Sequence, residues 1–87
     1  MNKTECIQEL KTLLEITDPQ NKPEAIRNFV SAVTLVNWVT RRDEKAFDEF
    51  SCFLSAFEVF VFQLNSEATN ITRNTCQGEL DKLPTRL

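Results

Sequence analysis

Residues 47–64 have the sequence FDEFSCFLSAFEVFVFQL, which contains six of the seven phenylalanines of this 87-residue chain. Apolar residues recur here every three or four positions, and a second apolar row at Phe53 and Phe60 runs beside them. This spacing predicts a helix that buries one wide apolar face. We call that face the phenylalanine seam and expect it to form a core or a self-association surface; its residues are Phe47, Phe50, Phe53, Leu54, Phe57, Phe60, Val61 and Leu64.

Two other interpretations of this segment were considered. A membrane span requires about 20 mostly apolar residues, and Asp48, Glu49 and Glu58 interrupt the stretch. A strand is compatible with the β-favouring run FEVFVFQL at 57–64, although the chain offers no evident partner strand. We therefore predict a helix and keep the strand as the alternative.

The rest of the chain predicts a small all-α bundle in a single domain, residues 1–87. One glycine and three prolines are too few for an all-β fold, which needs frequent turns. Asn2 can cap a first helix, Asp18-Pro19 ends it, and Pro23 suits the first turn of a second helix. We expect three to four helices, at about 3–16, 23–40, 43–64 and 66–77.

The final helix has the poorest propensity, because threonine and asparagine are frequent in it. Ser66 can cap this helix, and Gly78 is expected to end it. Pro84 argues against regular helix beyond that point, so we expect a loosely ordered tail at 78–87. The side chains predicted to face inward are Ala68, Ile71, Thr75 and Cys76.

The connection between the second and third helices decides the architecture. No glycine or proline lies between Pro23 and Gly78, so one rod of about 40 residues, roughly 60 Å long, fits the pattern. Such a rod would need a second chain to cover its seam. The polar run TRRDEK at 40–45 instead predicts a turn, with Asp43 as the N-cap of the third helix. We favour this central helical hairpin, because globular helices average about 11–12 residues.

The composition argues against an enzyme. The chain has no histidine and no tyrosine, which removes the commonest general base, the usual catalytic triads and most zinc sites. A single glycine also excludes the glycine-rich phosphate loops. Cys6, Cys52 and Cys76 form an odd set without paired spacing, and no secretory segment follows Met1. We therefore expect no cofactor, no metal site and a cytoplasmic location.

The second half of the chain is acidic. Between Asp43 and Asp81, eight acidic residues stand against two basic ones. One flank of the third helix carries what we call the acidic strip: Glu44, Asp48, Ser51, Ser55 and Glu58. Two interpretations stay open, namely that the strip only solvates the surface or that it docks on a basic surface of another protein. A core position is the default expectation for Trp38, and this residue is also the best candidate for an apolar anchor if such an interface exists.

These features predict a small non-enzymatic protein that binds another protein, such as a toxin antidote or a phage-encoded inhibitor of host defence. The alternative is a homo-oligomeric adapter that assembles through the phenylalanine seam. Because the predicted helices carry more apolar surface than two short neighbours can cover, we also expect a homodimer. A nucleic-acid accessory protein using Arg41, Arg42 and Lys45 is the third hypothesis, and the net charge of −3 argues against it.

Overall fold

The structure, a computed structural model, describes residues 1–86. Within them the chain forms four α-helices, with a short 3-10 turn at Ser66–Ala68: α1 (Lys3–Ile16), α2 (Lys22–Thr40), α3 (Glu44–Phe62) and α4 (Thr69–Arg86). No strand occurs in this part of the chain. The predicted all-α bundle is confirmed, and the strand alternative for 57–64 is wrong because α3 continues through Phe62. None of the helices in residues 1–86 has the length and apolar character that a membrane crossing requires.

Local side-chain caps explain where two of the helices begin. The Asn2 carboxamide oxygen accepts a hydrogen bond of 2.8 Å from the backbone N–H of Glu5, at the start of α1. The Asp43 carboxylate accepts a hydrogen bond of 3.0 Å from the backbone N–H of Ala46, at the start of α3. Both contacts satisfy a backbone donor that has no partner inside the helix.

The chain reverses direction between α2 and α3, which confirms the predicted hairpin. The backbone N–H of Asp43 donates to the carbonyl oxygen of Thr40 at 2.9 Å, closing a tight turn at residues 41 and 42. Because the helices fold back, Phe29 of α2 lies with its ring edge against Phe57 of α3, with centroids 6.0 Å apart. A single continuous rod is thereby excluded.

The phenylalanine seam fills the centre of the bundle. α3 packs against both α2 and α4, and α1 closes the bundle by packing against the same two helices. The rings of Phe53, Phe57 and Phe60 follow one another at centroid distances of 5.4 and 6.1 Å. The fully buried members of the seam are Phe50, Phe53, Phe57, Phe60 and Val61, and Leu54 is partly buried against them.

Two members of the predicted seam are not part of the core. Leu64 is 92% exposed, because α3 ends at Phe62 and the extended backbone at Gln63 turns the chain away from the helix surface. Phe47 lies in the first turn of α3 at the edge of the buried face and is also exposed. The buried face of α3 therefore consists of the central members of the predicted seam, from Phe50 to Val61.

The prediction for the end of the chain was wrong. α4 runs from Thr69 to Arg86, through Gly78 and Pro84, where a loose tail was expected; Leu87 lies outside the described residues. Leu80 and Leu83 are buried in the core, and they form a helical row with Cys76 at intervals of four and three residues. Burial of this row outweighs the poor helix propensity of the local sequence, because tertiary packing commonly overrides helix propensity.

The beginning of α4 also differs from the prediction. Residues 66–68 form a 3-10 turn rather than the first turn of an α-helix, and the side chain of Asn65, not Ser66, caps it. Of the four residues predicted to face inward, only Cys76 is buried, Ala68 is half-buried, and Ile71 and Thr75 are exposed, because α4 buries the row of Cys76, Leu80 and Leu83.

Candidate functional site

The acidic strip forms one continuous row on α3. Its residues follow one another at intervals of four, three, four and three, so neighbouring side chains lie one above the other along the helix. Four of them are exposed and Ser51 is half-buried: Glu44, Asp48, Ser51, Ser55 and Glu58. The structure thus brings all five together on one surface, and their role in binding stays a prediction.

An exposed aromatic ring continues the acidic strip at its C-terminal end. Phe62 lies four residues beyond Glu58, and its side chain is 48% exposed. The edge of its ring meets Phe29 of α2 at a centroid distance of 6.0 Å. A shallow depression here, which we call the aromatic end, is lined by Phe29, Glu58, Val59, Phe62 and Gln63. This end of the strip offers apolar surface beside a carboxylate.

A second depression lies at the other end of the strip, beside the hairpin turn. We call it the turn end, and it is lined by Asn37, Thr40, Arg41, Glu44, Phe47 and Asp48. Two carboxylates of the strip and the guanidinium of Arg41 in the turn therefore border the same cleft. This end is polar, and its charges are of both signs with an acidic excess.

Trp38 is a surface residue rather than a core residue. Its side chain is 59% exposed, and the guanidinium carbon of Arg41 lies 4.5 Å from its ring centroid, within cation–π distance. The indole borders depressions on the outer face of α2, together with Thr34 and Leu35 on one side and Arg42 on the other. The structure therefore places Trp38 beside the acidic strip, with Arg41 between them, and not within it.

The N-terminal end of α3 is held in place by an ion pair with α1. The Lys3 ammonium lies 2.8 Å from the carboxylate of Asp43, the residue that caps α3. Hydrogen bonds from Lys3 and from the N–H of Ala46 lower the pKa of Asp43 below its ordinary value. Because Glu44 is the next residue, this contact also fixes where the acidic strip begins.

A second lysine holds the opposite end of the same helix. The Lys22 ammonium, from the first turn of α2, donates to the carbonyl oxygen of Val61 at 2.8 Å and to that of Gln63. Carbonyl groups at a helix C-terminus have no partners inside the helix and attract a cation. α3 is thus held at both of its ends, by α1 through Lys3 and by α2 through Lys22.

Several large apolar residues of α2 lie outside its buried face. Ile26 and Val30 are exposed, and Val30 borders the same depression as Trp38 on the outer face of α2. The residues that α2 buries are mostly small or polar: Ala25, Asn28, Ala32, Val36 and Thr40. This row, at intervals of three and four, was the signal that could have revealed the outward position of Ile26 and Val30.

The cysteines do not form a reactive site. Burial raises the pKa of Cys6 to about 11 and that of Cys76 to about 12, so both side chains are neutral thiols at neutral pH. Cys52 is exposed on α3, where its sulfur lies 3.9 Å from the carbonyl oxygen of Asp48. The features of this surface that could recognise a ligand are its carboxylates and its exposed apolar side chains.

No family model, curated protein or solved structure matches this chain. The geometry of the hairpin surface is therefore the basis for the functional conclusion.

Proposed function

We propose that this is a small non-enzymatic protein that binds another protein stoichiometrically and blocks a basic surface on it. The acidic strip of Glu44, Asp48, Ser51, Ser55 and Glu58 is the docking surface, and the partner supplies lysine and arginine side chains. Inhibitors of this kind include toxin antidotes and phage-encoded proteins that counter host defence. Long-range attraction would steer the two proteins together, and apolar contacts would then hold them.

The observation that carries this proposal is the combination of carboxylates and exposed aromatic side chains along one row. Phe62, four residues beyond Glu58, is 48% exposed, and Phe47 is exposed beside Asp48. A row of charges that only solvates a surface does not need aromatic neighbours, whereas interfaces combine buried apolar anchors with a polar rim. The defined shape of the hairpin supports the same proposal, because a fixed surface loses little entropy on binding.

Self-assembly through the phenylalanine seam is the alternative function, and burial of the seam argues against it. An adapter was expected to assemble through the phenylalanine seam, but four of its phenylalanines are fully buried within one chain. The homodimer stays a prediction, and exposed apolar residues such as Phe47, Val59 and Phe62 are available for its interface. Sedimentation at high micromolar concentration checks it directly, and a monomeric mass would contradict it.

The proposal is tested by capturing the partner from the native host and measuring its binding to charge variants. The variant Glu44→Gln/Asp48→Asn/Glu58→Gln removes three charges while it keeps the side-chain shapes. We expect it to fold normally, to associate at least about tenfold more slowly, and to show a weaker dependence on salt.

A matched control removes three exposed carboxylates elsewhere: Glu9→Gln/Glu15→Gln/Glu67→Gln. The control should bind the captured partner like the wild type, because only the total charge has changed. Equal binding by both triple variants, or equal weakening in both, would remove the acidic strip from the mechanism.

A further inference from the structure

The turn end is bordered by charges of opposite sign on its two sides. The guanidinium of Arg41 lies on the side formed by α2 and the hairpin turn, and the carboxylates of Glu44 and Asp48 lie on the side formed by α3. Arg42 adjoins Arg41 in the turn, and all four side chains are exposed. Within residues 1–86, none of the four forms an ion pair. The surface around the turn end therefore has a basic half and an acidic half, and neither is neutralised within the chain.

Each half also carries an exposed aromatic ring. On the basic half, Trp38 borders a depression together with Arg41 and Arg42, and the guanidinium of Arg41 stacks on the indole at 4.5 Å from its centroid. A stacked guanidinium keeps the N–H groups at its edge available for a carboxylate. On the acidic half, Phe47 borders the turn end beside Asp48 and is exposed. Apolar rings beside ion pairs exclude water from them in protein interfaces.

The two halves together favour a ligand that carries charges of both signs. A nucleic-acid backbone would be attracted by Arg41 and Arg42, but it would be repelled by Glu44 and Asp48, which share the turn end with Arg41. The complementary surface has one half of each sign in the reverse order. A second copy of this chain presents that surface, because a two-fold axis through the turn end places the basic half of each copy over the acidic half of the other.

The net charge of −3 on each copy does not prevent this association. At physiological ionic strength the screening length is about 8 Å, so charges far from the contact repel each other only weakly. Charges that face each other at the contact are screened much less. A guanidinium can also hold a carboxylate through two parallel hydrogen bonds, which fixes the orientation of the pair.

We infer that two copies of this chain form a two-fold dimer through the turn end, in which Arg41 and Arg42 of each copy pair with Glu44 and Asp48 of the other. Trp38 lies in this interface. The dimer covers the first two carboxylates of the acidic strip, so it competes with the binding of a basic partner, and the free monomer is the form that binds. The competition rests on the proposed function, whereas the dimer does not.

The first experiment follows the wild-type protein by sedimentation equilibrium and by tryptophan fluorescence. Trp38 is the only tryptophan of the chain, so the emission reports on this surface alone. We expect the mass to rise from that of a monomer toward that of a dimer between low and high micromolar concentration, and the emission to move to shorter wavelength over the same range. A monomeric mass throughout, or a dimer with unchanged emission, would overturn the inference. A shift produced by a single-stranded oligonucleotide on the dilute monomer would assign the turn to nucleic acid instead.

Charge reversal tests the inferred pairing directly. The reversed-turn variant is Arg41→Glu/Arg42→Glu, and the reversed-strip variant is Glu44→Lys/Asp48→Lys. Each variant alone places like charges opposite each other, so we expect self-association at least about tenfold weaker than in the wild type. An equimolar mixture of the two places opposite charges together at both contacts and should recover the dimer. A mixture that stays monomeric would overturn the inference.

Two controls accompany the mixture. Circular dichroism verifies that the variants fold, and should either unfold, the neutral variant Arg41→Gln/Arg42→Gln should still weaken the wild-type dimer about tenfold. The second control, Arg27→Glu/Lys82→Glu, changes two exposed cations elsewhere and has the same net charge as the reversed-turn variant. It should associate with the reversed-strip variant at least about tenfold more weakly than the reversed-turn variant does. Equal association would show that only net charge matters and would contradict the inferred contact.

The captured partner separates this inference from the proposed function. The reversed-turn variant keeps the whole acidic strip and cannot dimerise, so it should bind the partner at least as tightly as the wild type. Weaker binding would contradict the competition, because the turn would then belong to the partner's surface. If the mixture dimerises but Glu44→Gln/Asp48→Asn/Glu58→Gln leaves partner binding unchanged, the dimer stands and the proposed function fails. If the mixture stays monomeric while partner binding depends on the strip, the proposed function stands and this inference fails.

Discussion

Arg73 of α4 donates a hydrogen bond of 2.7 Å to the carbonyl oxygen of Leu14 in α1, across 59 positions of sequence. The second amino group of the same guanidinium donates to the carbonyl oxygen of Thr17 at 3.0 Å. The guanidinium also lies over the ring of Phe60 in α3, 4.8 Å from its centroid. Because the last carbonyls of a helix lack internal partners, this one side chain closes the C-terminal end of α1 and connects three helices.

Replacement of Arg73 should therefore destabilise the fold. Hydrogen bonds to a charged group contribute about 1.5–3 kcal/mol, and we expect Arg73→Met to lower the free energy of unfolding by about that amount. Arg73→Lys should recover only part of the loss, since an ammonium cannot form the same two-pronged contact or stack on a ring. Urea unfolding followed by circular dichroism measures both effects.

The control for this experiment is Arg27→Lys, which changes an exposed arginine of α2. It should leave the unfolding midpoint unchanged within error. If Arg73→Met were also neutral, the two contacts with the α1 carbonyls would not contribute to stability.

The phenylalanines of α3 should divide into two classes. Phe57 is fully buried, whereas Phe62 on the same helix is 48% exposed. Phe57→Ala should cost about 3–5 kcal/mol, as truncation of buried aromatic residues does, which approaches the whole stability of a domain this small. Phe62→Ala should cost much less. Thermal denaturation distinguishes them, and similar melting temperatures for the two variants would contradict the packing of the seam.

The central hairpin and most of the phenylalanine seam could be predicted from the sequence because their signals are strong. Six consecutive polar residues between two apolar segments indicate a turn, and a dense row of phenylalanines leaves few choices of buried face. α4 could not be predicted in the same way. Its buried row has only Cys76, Leu80 and Leu83, and its sequence includes a glycine and a proline, which are unfavourable in a helix. The length of α4 depends on contacts with residues that are distant in sequence, and the helix propensity of the local sequence does not reflect such contacts.

The orientation of α2 could not be predicted from the sequence either, for a different physical reason. This helix is apolar almost all round, so periodicity does not identify the face that is buried. Its rotation is fixed partly by a polar contact: the buried Asn28 side chain donates to the Thr17 hydroxyl at 3.0 Å, which in turn donates to the carbonyl oxygen of Leu13. The exposed positions of Ile26, Val30 and Trp38 follow from this rotation and therefore could not be predicted from composition.

The reactivity of the three cysteines should reflect their burial. At about pH 8 a thiol reagent should modify Cys52 in the folded protein, and modify Cys6 and Cys76 only after unfolding, because the pKa values of the buried thiols are raised. Ellman's reagent with and without denaturant measures this directly. Rapid modification of a Cys52→Ala variant in native buffer would contradict the buried positions.

The raised thiol pKa values also predict a pH dependence of stability. The folded chain keeps the protons of Cys6 and Cys76 above the ordinary pKa of 9.0, while the unfolded chain releases them. This contribution is therefore complete below about pH 9 and is lost as the pH rises toward the folded values of about 11 and about 12. At about pH 8 a Cys6→Ala/Cys76→Ala variant should be less stable than the wild type, but its free energy of unfolding should fall less between about pH 8 and 10.5. Cys52→Ala should behave like the wild type.

The last prediction follows from the continuous α4 helix, in which Gly78 is an ordinary helical position. A Cβ atom added at Gly78 meets no other atom within 4 Å, and its φ is not positive. Alanine is preferred over glycine inside a helix by about 0.5–1 kcal/mol, so Gly78→Ala should raise the free energy of unfolding by that amount and the melting temperature by several degrees. Leu83→Ala, five residues later, should instead cost about 2–5 kcal/mol through loss of core packing. A chain that ended its helix at Gly78 would show the opposite pattern, with Gly78→Ala destabilising and Leu83→Ala neutral.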